Sequence, residues 1–167
     1  MKLFTITVLL WVSFVFTAFL PVSYGQGAVE MPWGKQLSGL QVRIRACPKS
    51  ESRKGKALMI FEVRNASEQP VEFCWWQSPL ERQLAANRFK VIGPEGEVAY
   101  EGAMIKRTAP SKKSGDYTTL RSGWTLGVEF DLAEAYRMKA GRKYSIRFEG
   151  TNLGPLPASN KIEFELR

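Results

Sequence analysis

The most constraining feature of this chain is a series of short segments in which apolar and polar residues alternate. In residues 40–46 the apolar side chains of Leu40, Val42 and Ile44 alternate with glutamine and arginine. Such a period of two residues predicts a β-strand with one face towards the core and the other towards solvent. Comparable segments follow, separated by turns rich in glycine, proline, asparagine and serine, at residues 57–63, 71–76, 88–92, 97–100, 116–120, 124–132, 144–148 and 161–166.

The number and spacing of these segments define the expected fold. A turn every ~8–12 residues between short strands is typical of a β-sandwich. Residues 77–87 and 133–140 each predict a single helical turn, and no long helical period interrupts the strands. A chain of 167 residues suits one domain better than two. The sequence therefore predicts an all-β protein with one Ig-like antiparallel β-sandwich of about eight or nine strands over residues 26–167.

The N-terminus has the pattern of an export signal. Lys2 is followed by an almost wholly apolar stretch over residues 3–20, and Pro21, Ser23 and Gly25 come next. A basic start, an apolar stretch and small residues before a cut are typical of a signal peptide. We expect residues 1–25 to be removed, and the mature protein to be periplasmic or secreted with no stable membrane insertion. An uncleaved membrane anchor is the alternative reading of this stretch.

The mature chain is basic. The whole sequence carries 24 Lys and Arg against 16 Asp and Glu, and the signal peptide removes only Lys2, which leaves a net charge of +7. An exported protein rarely meets nucleic acid, so an acidic protein or an anionic envelope polymer is the expected partner. Solubility alone is the other explanation of the charge.

The complete absence of histidine restricts the chemistry. It excludes Ser-His-Asp and Cys-His catalysis and every zinc site built on imidazole, the HExxH motif included. No pair of acidic residues has a suggestive spacing. We therefore expect a monomeric binding protein with no catalytic residues, metal or cofactor.

Two cysteines, Cys47 and Cys74, are present. In an oxidising compartment such a pair tends to form a disulfide. The bond would close a loop of about 27 residues and contribute around 3 kcal/mol in the chain-entropy model. The sequence leaves open whether the two sulfur atoms meet.

Two groups of residues are candidates for partner binding. Adjacent tryptophans Trp75 and Trp76 would point to opposite faces of a strand, so one ring would be exposed unless a loop covers it. The pair Lys106-Arg107 offers two cations on a stiff segment, although a solvated strand end would need no function. The candidate partner-binding residues are Trp76, Lys106, Arg107, Pro110, Lys112 and Lys113.

Other polar residues are better explained by structure. Residues 65–67 fit the N-glycosylation triplet but read as an ordinary turn. Glu81, Asp116 and Asp131 are isolated acids of the kind found in turns. Tyr144, which follows Gly141 at the entry to a strand, is expected to hydrogen-bond the backbone as a tyrosine corner.

Several segments, read in order, resemble a known family. They are SPLE (78–81), FKVIGPEGEVAYEGAMIKRTAP (89–110), DYTTLRSG (116–123), VEFDLAEAY (128–136) and GRKYSIRF (141–148). This ordered set, from Glu72 to about Gly150, resembles the amino-terminal pro-domain of secreted deuterolysin-type zinc metallopeptidases, which include lysine-specific endopeptidases. The catalytic domain with HExxH that follows in that family has no counterpart here. The resemblance implies a free-standing pro-domain-like module that inhibits a secreted metallopeptidase or assists its folding.

Two functions follow as expectations. In the first, the cations of Lys106 and Arg107 enter the acidic specificity pocket of a lysine-preferring peptidase and restrain it. In the second, the chain is an envelope module that binds an anionic polymer or a surface protein through its positive charge and an exposed tryptophan. An enzyme that uses carboxylates is the third and weakest class, because no paired acids support it.

Overall fold

The computed structural model describes residues 31–48, 54–154 and 156–167. The predicted signal peptide, residues 1–25, lies outside them. The described chain is all-β, and the helical elements within it are short 3-10 turns, among them Pro79–Glu81, Lys112–Ser114 and Leu132–Glu134. The strands are β1 (Leu40–Ala46), β2 (Leu58–Asn65), β3 (Val71–Cys74), β4 (Phe89–Gly93), β5 (Gly96–Glu97), β6 (Tyr117–Leu120), β7 (Thr125–Asp131), β8 (Arg142–Phe148) and β9 (Lys161–Leu166).

All neighbouring strands within the sheets pair antiparallel. One sheet has the order β1-β2-β7, a second has the order β5-β4-β8-β9, and β3 pairs with β6 in a small third sheet. The predicted alternation is visible in β1, where Leu40, Val42 and Ile44 are at most 1% exposed and the residues between them are not buried.

Aromatic side chains join the two larger sheets. Phe61 of β2 meets Phe148 of β8 edge to face, with ring centroids 5.0 Å apart. Phe89 of β4 packs against Phe130 of β7 at 5.4 Å. Because both pairs bridge the sheets and belong to one continuous core, the prediction of a single-domain, all-β sandwich is confirmed.

One edge of the sandwich is closed by contacts between β1 and the two residues just before β9, Ser159 and Asn160. Val42 and Ser159 form a parallel β-bridge. The buried side chain of Asn160 then accepts from the Ile44 N–H at 2.8 Å and donates to the Ile44 carbonyl at 3.0 Å. The Asn160 amide thus pairs with β1 as a neighbouring strand would, and it ties the two large sheets together.

Tyr144 makes the predicted tyrosine corner. Its hydroxyl accepts from the Lys139 N–H at 2.6 Å and donates to the Lys139 carbonyl at 3.2 Å. The ring lies over Gly93, where an added Cβ would come within 2.9 Å of it. This tyrosine therefore fixes the chain entry into β8 and requires a residue without a side chain on β4.

The predicted disulfide is not formed in this structure, in which Cys47 and Cys74 are both buried free thiols. Cys47 follows β1, and its sulfur lies 3.4 Å from a carboxylate oxygen of Glu129 on β7. Cys74 ends β3 in another sheet and packs against Gly154. A Cβ added at Gly154 would lie 2.6 Å from the Cβ of Cys74. The alternating strand pattern does not reveal that these positions belong to different sheets.

The polar turn residues behave as expected. Asn65 is fully buried, and its amide donates to the carbonyls of Gln69 and Leu120 while its oxygen accepts from Ser67. Residues 65–67 are therefore a turn held by the Asn65 side chain. No helix among the described residues is long and apolar enough to cross a membrane.

Candidate functional site

The candidate site is the segment formed by residues 102–110, called here the Lys106 segment. It has no regular secondary structure, and residues 103–109 are all exposed. Met104 is 73% exposed and Ile105 is 41% exposed. The segment therefore exposes two apolar side chains next to two basic residues.

Tyr100 and Gly102 anchor the beginning of this segment. The Tyr100 hydroxyl lies 2.7 Å from the Leu84 carbonyl oxygen and 2.6 Å from the Ala103 carbonyl oxygen, and it can donate to either. A Cβ at Gly102 would lie 2.7 Å from the Cβ of Ala135. The chain passes too close to its neighbours here for any side chain, which fixes where the segment leaves the domain surface.

Two further contacts hold the middle of the segment. The Ile105 N–H donates to the Ala85 carbonyl at 3.0 Å. The Arg107 guanidinium donates to a carboxylate oxygen of Glu81 at 2.5 Å and stacks over the Trp76 ring at 4.7 Å from its centroid. Ile105 and Arg107 flank Lys106, so both neighbours of Lys106 are attached to the body of the domain.

Glu81 is presented by the 3-10 turn at Pro79–Glu81. Ser78 caps this turn, since its hydroxyl accepts from the Leu80 N–H at 3.3 Å and donates to the Trp75 carbonyl at 2.7 Å. The Gln77 N–H donates to the second carboxylate oxygen of Glu81. The Glu81 side chain is 1% exposed, so Arg107 supplies the counter-charge of an almost fully buried carboxylate.

Lys106 is the free cation of the segment. Within the described chain its ammonium group makes no ion pair or hydrogen bond. The following basic residues differ: Lys112 pairs with Glu72, and that contact raises the pKa of the Lys112 ammonium. Lys113 is exposed and, among the described residues, has no side-chain partner. Within residues 102–116, the cations without a partner are therefore Lys106 and Lys113.

A compact loop follows the segment. Pro110 is half-buried. The Asp116 carboxylate accepts from the Ser111 N–H and the Ser114 hydroxyl, each at 2.8 Å. Gly115 ends the turn with a φ of 75°, a left-handed conformation that glycine adopts without strain. These contacts hold residues 111–116 as a defined tip beside the Lys106 segment.

The structure places the tryptophans differently from the prediction. The strand that contains Phe73 ends at Cys74, and Trp76 is only 7% exposed. Arg107 covers its ring, so Trp76 packs between Arg107 and the domain and does not offer an exposed face. Trp75 is half-buried, and its indole N–H donates to the Gly115 carbonyl at 3.2 Å.

Sequence reasoning missed the partner of Glu81. The two members of the Glu81–Arg107 pair are 26 residues apart, and no local spacing signals their contact. Among the described residues no three His, Cys, Asp or Glu side chains come together in a way that could hold a metal ion. The arrangement is suited to presenting an exposed, cationic stretch of chain to another molecule.

Comparison with known proteins gives the chain a context. An extracellular protease of Aeromonas hydrophila is 42% identical to this chain over 86 residues. This chain is similar to part of a protease. The matched stretch is 52% of the chain and 24% of the protease, so it spans about a quarter of that relative's length. The similarity indicates a protease-associated module. No protein-family model matches the chain.

Proposed function

We propose that this chain binds an extracellular peptidase and restrains it, with the Lys106 segment lying along the substrate cleft of the enzyme. The single observation that carries this proposal is the anchoring of an exposed, irregular segment on both sides of an unpaired lysine. Preorganisation of this kind favours binding, because the segment loses little conformational freedom when it docks. The similarity to part of an extracellular protease supports the choice of a peptidase as the partner.

The mechanism we propose is electrostatic. The ammonium group of Lys106 enters an acidic specificity pocket, as a substrate lysine would. Arg107 stays attached to Glu81 and Trp76 and keeps the segment on the domain, so the two cations that the sequence suggested together have separate roles. The attachment on both sides of Lys106 opposes the rearrangement that productive cleavage would need.

We further propose that the partner is a zinc metallopeptidase with a preference for lysine, as the resemblance to deuterolysin-type pro-domains implies. In this proposal the chain itself is a binding protein and carries no catalytic residues. The absence of histidine from the sequence supports this view, since it removes the usual general base and zinc ligands of secreted peptidases.

The test begins with the mature protein, residues 26–167, used to capture partners from the culture medium and periplasmic extract of its source. Each captured peptidase is assayed with the wild type, with Lys106→Glu and with Lys90→Glu, a matched charge reversal at an exposed position of β4. Lys106→Glu should raise the inhibition constant at least about tenfold, which is ~1.4 kcal/mol, and Lys90→Glu should leave it unchanged.

Two outcomes would count against the proposal. Equal losses for both variants would mean that net charge, and not the Lys106 segment, drives the interaction. Salt-sensitive binding to an anionic envelope polymer, with every peptidase unaffected, would favour the envelope-binding function instead.

A further inference from the structure

A second surface lies at the edge of the sandwich formed by β7. Whereas Ser159 and Asn160 close the β1 edge, no strand in the described chain pairs with the outer side of β7. A groove of about 360 Å³ opens there, lined by Trp75, Leu80, Arg82, Tyr117, Leu126 and Val128 among others.

The register shows which backbone groups face this groove from β7. The Asn65 N–H donates to the Trp124 carbonyl at 3.0 Å, and the Leu132 N–H donates to the Ala57 carbonyl at 3.0 Å. In an antiparallel pair every second residue bonds its partner strand, so Thr125 and Gly127 direct their N–H and C=O groups away from β2. In the described parts of the chain, the outward N–H and C=O groups of these two residues have no hydrogen-bond partner.

The same reasoning applies to β6 on the other wall. The Trp75 N–H donates to the Asp116 carbonyl at 3.4 Å. Alternation along the β3–β6 pair then turns the backbone groups of Tyr117 and Thr119 away from β3. Tyr117 lines the groove, so the groove is bordered by the free edge of β7 and by this part of β6.

The side chains at the groove are apolar and cationic. Leu126 stands opposite Val63 and shares its core-directed face, yet Leu126 is 38% exposed and Val63 is 0% exposed. The sandwich is thus incompletely covered at this point. Arg82 lines the groove, and its guanidinium has no hydrogen bond or ion pair within residues 31–48, 54–154 and 156–167.

We propose that this groove binds an extended acidic peptide, which adds a strand to the free edge of β7. Backbone hydrogen bonds to Thr125 and Gly127 supply affinity, and alternate apolar side chains of the peptide cover Leu126 and Val128. An acidic residue in line with those apolar side chains meets the Arg82 guanidinium. The site is separate from the Lys106 segment and does not depend on the function proposed above.

The probe is the peptide acetyl-Glu-Thr-Val-Thr-Val-Thr-Glu-amide, which places its valines and glutamates on one face of a strand. Titration into the isotope-labelled mature protein should shift the Gly127 amide signal and protect that amide from hydrogen exchange. Gly127→Pro removes an outward donor and no β2–β7 hydrogen bond, so it should weaken binding about tenfold. Gly127→Ala keeps the donor, and its Cβ would lie 3.2 Å from Cγ of Glu62 and 3.3 Å from the Phe61 carbonyl oxygen, a tight contact without a severe clash, so it should bind more tightly than Gly127→Pro.

A second measurement leaves the protein untouched, in case Gly127→Pro does not fold. N-methylation of alternate peptide residues removes the donors from one edge of the added strand. One of the two methylation patterns should abolish binding and the other should not, because a one-residue shift would turn the valines away from Leu126. A control peptide in which lysine replaces both glutamates should bind more weakly than the probe. Arg82→Ala should remove this difference in affinity between the two peptides.

Three results would overturn the proposal: an unaffected Gly127 amide, equal binding of both methylated peptides, or dimerisation of the protein alone with protection of the same amide. The last result would identify a second copy of the chain as the occupant of the β7 edge.

Discussion

Adjacent cations can have opposite roles in a folded chain, as Lys106 and Arg107 do here. The Arg107 side chain is 27% exposed and neutralises Glu81, whose carboxylate is almost fully buried. Lys106 extends into solvent without a partner among the described residues. The first residue stabilises the segment and the second is available to a ligand, so substitutions at the two positions should separate stability from binding.

Arg107→Ala should lower the free energy of unfolding by about 3 kcal/mol, because it leaves the Glu81 carboxylate buried without its counter-charge. Lys106→Ala should change that free energy by less than about 0.5 kcal/mol, as exposed substitutions usually do. Urea titration of both variants measures the difference. Equal, small effects would contradict the structural role given to Arg107.

Tyr136 makes stability depend on pH in the alkaline range. Burial raises the pKa of its hydroxyl, which hydrogen-bonds Asn87 and the Phe89 backbone, and burial raises the pKa of the neighbouring Tyr100 as well. The folded state therefore holds these protons more tightly than the unfolded chain. The resulting stabilisation is complete below the ordinary tyrosine pKa of about 10 and declines as the pH rises above it.

Urea midpoints measured from about pH 8 to about pH 11 should fall more steeply for the wild type than for Tyr136→Phe. The variant is expected to be less stable at every pH, because it loses the hydrogen bonds of the hydroxyl. Its curve should nevertheless converge on that of the wild type at high pH. Parallel curves would mean that Tyr136 does not titrate with folding.

Residue roles differed in how far the sequence could reveal them. Tyr144 was predictable because its partner, Lys139, lies five residues away and the Gly-to-Tyr spacing is local. The contact of Glu81 with Arg107 was not, since it depends on a fold that brings distant turns together. The sequence left open whether the Trp76 ring is covered, for the same reason: the residue that lies over it, Arg107, is remote in sequence.

At the level of elements, strands with strict alternation were predicted well. The bounds of β1 and β9 agree with the predicted segments, because each buries one face against the opposite sheet. The segment at residues 71–76 was predicted too long, and its strand ends at Cys74. An apolar run continues past that point, but Trp75 and Trp76 pack from a turn and not from a strand.

Asn160 is the element-level contact most open to test. Asn160→Ala would leave the buried N–H and C=O of Ile44 without partners, so it should lower the free energy of unfolding by about 2 kcal/mol or more. Glu163→Ala, at an exposed position of β9, should change it by less than about 0.5 kcal/mol. Denaturant unfolding compares the two, and a similar effect of both would show that Asn160 does not close this edge.

At the level of the whole molecule, two packed sheets and a continuous core hold the domain together without a covalent link. Cys47 and Cys74 are both buried as thiols. The stability of the domain therefore rests on non-covalent packing, and the stabilisation that a closed disulfide loop would add is not available to it.

Thiol labelling checks this directly. The two cysteines should react with a thiol reagent only after denaturation, when both become accessible, and the urea midpoint should be the same with and without reductant. Failure to label either cysteine in denaturant until reductant is added would show that the exported protein carries the disulfide after all.

Tyr100, Ile105 and Arg107 anchor the Lys106 segment. This anchoring determines at which step the segment loses its conformational entropy. The segment is immobilised once, as the domain folds, and not at each encounter with a partner. Calorimetry should therefore show a small entropic penalty on association, and a variant with a loosened anchor should bind with a larger one. Affinity lost in that way would be recoverable by rigidifying the segment by other means, with no new contact to the partner.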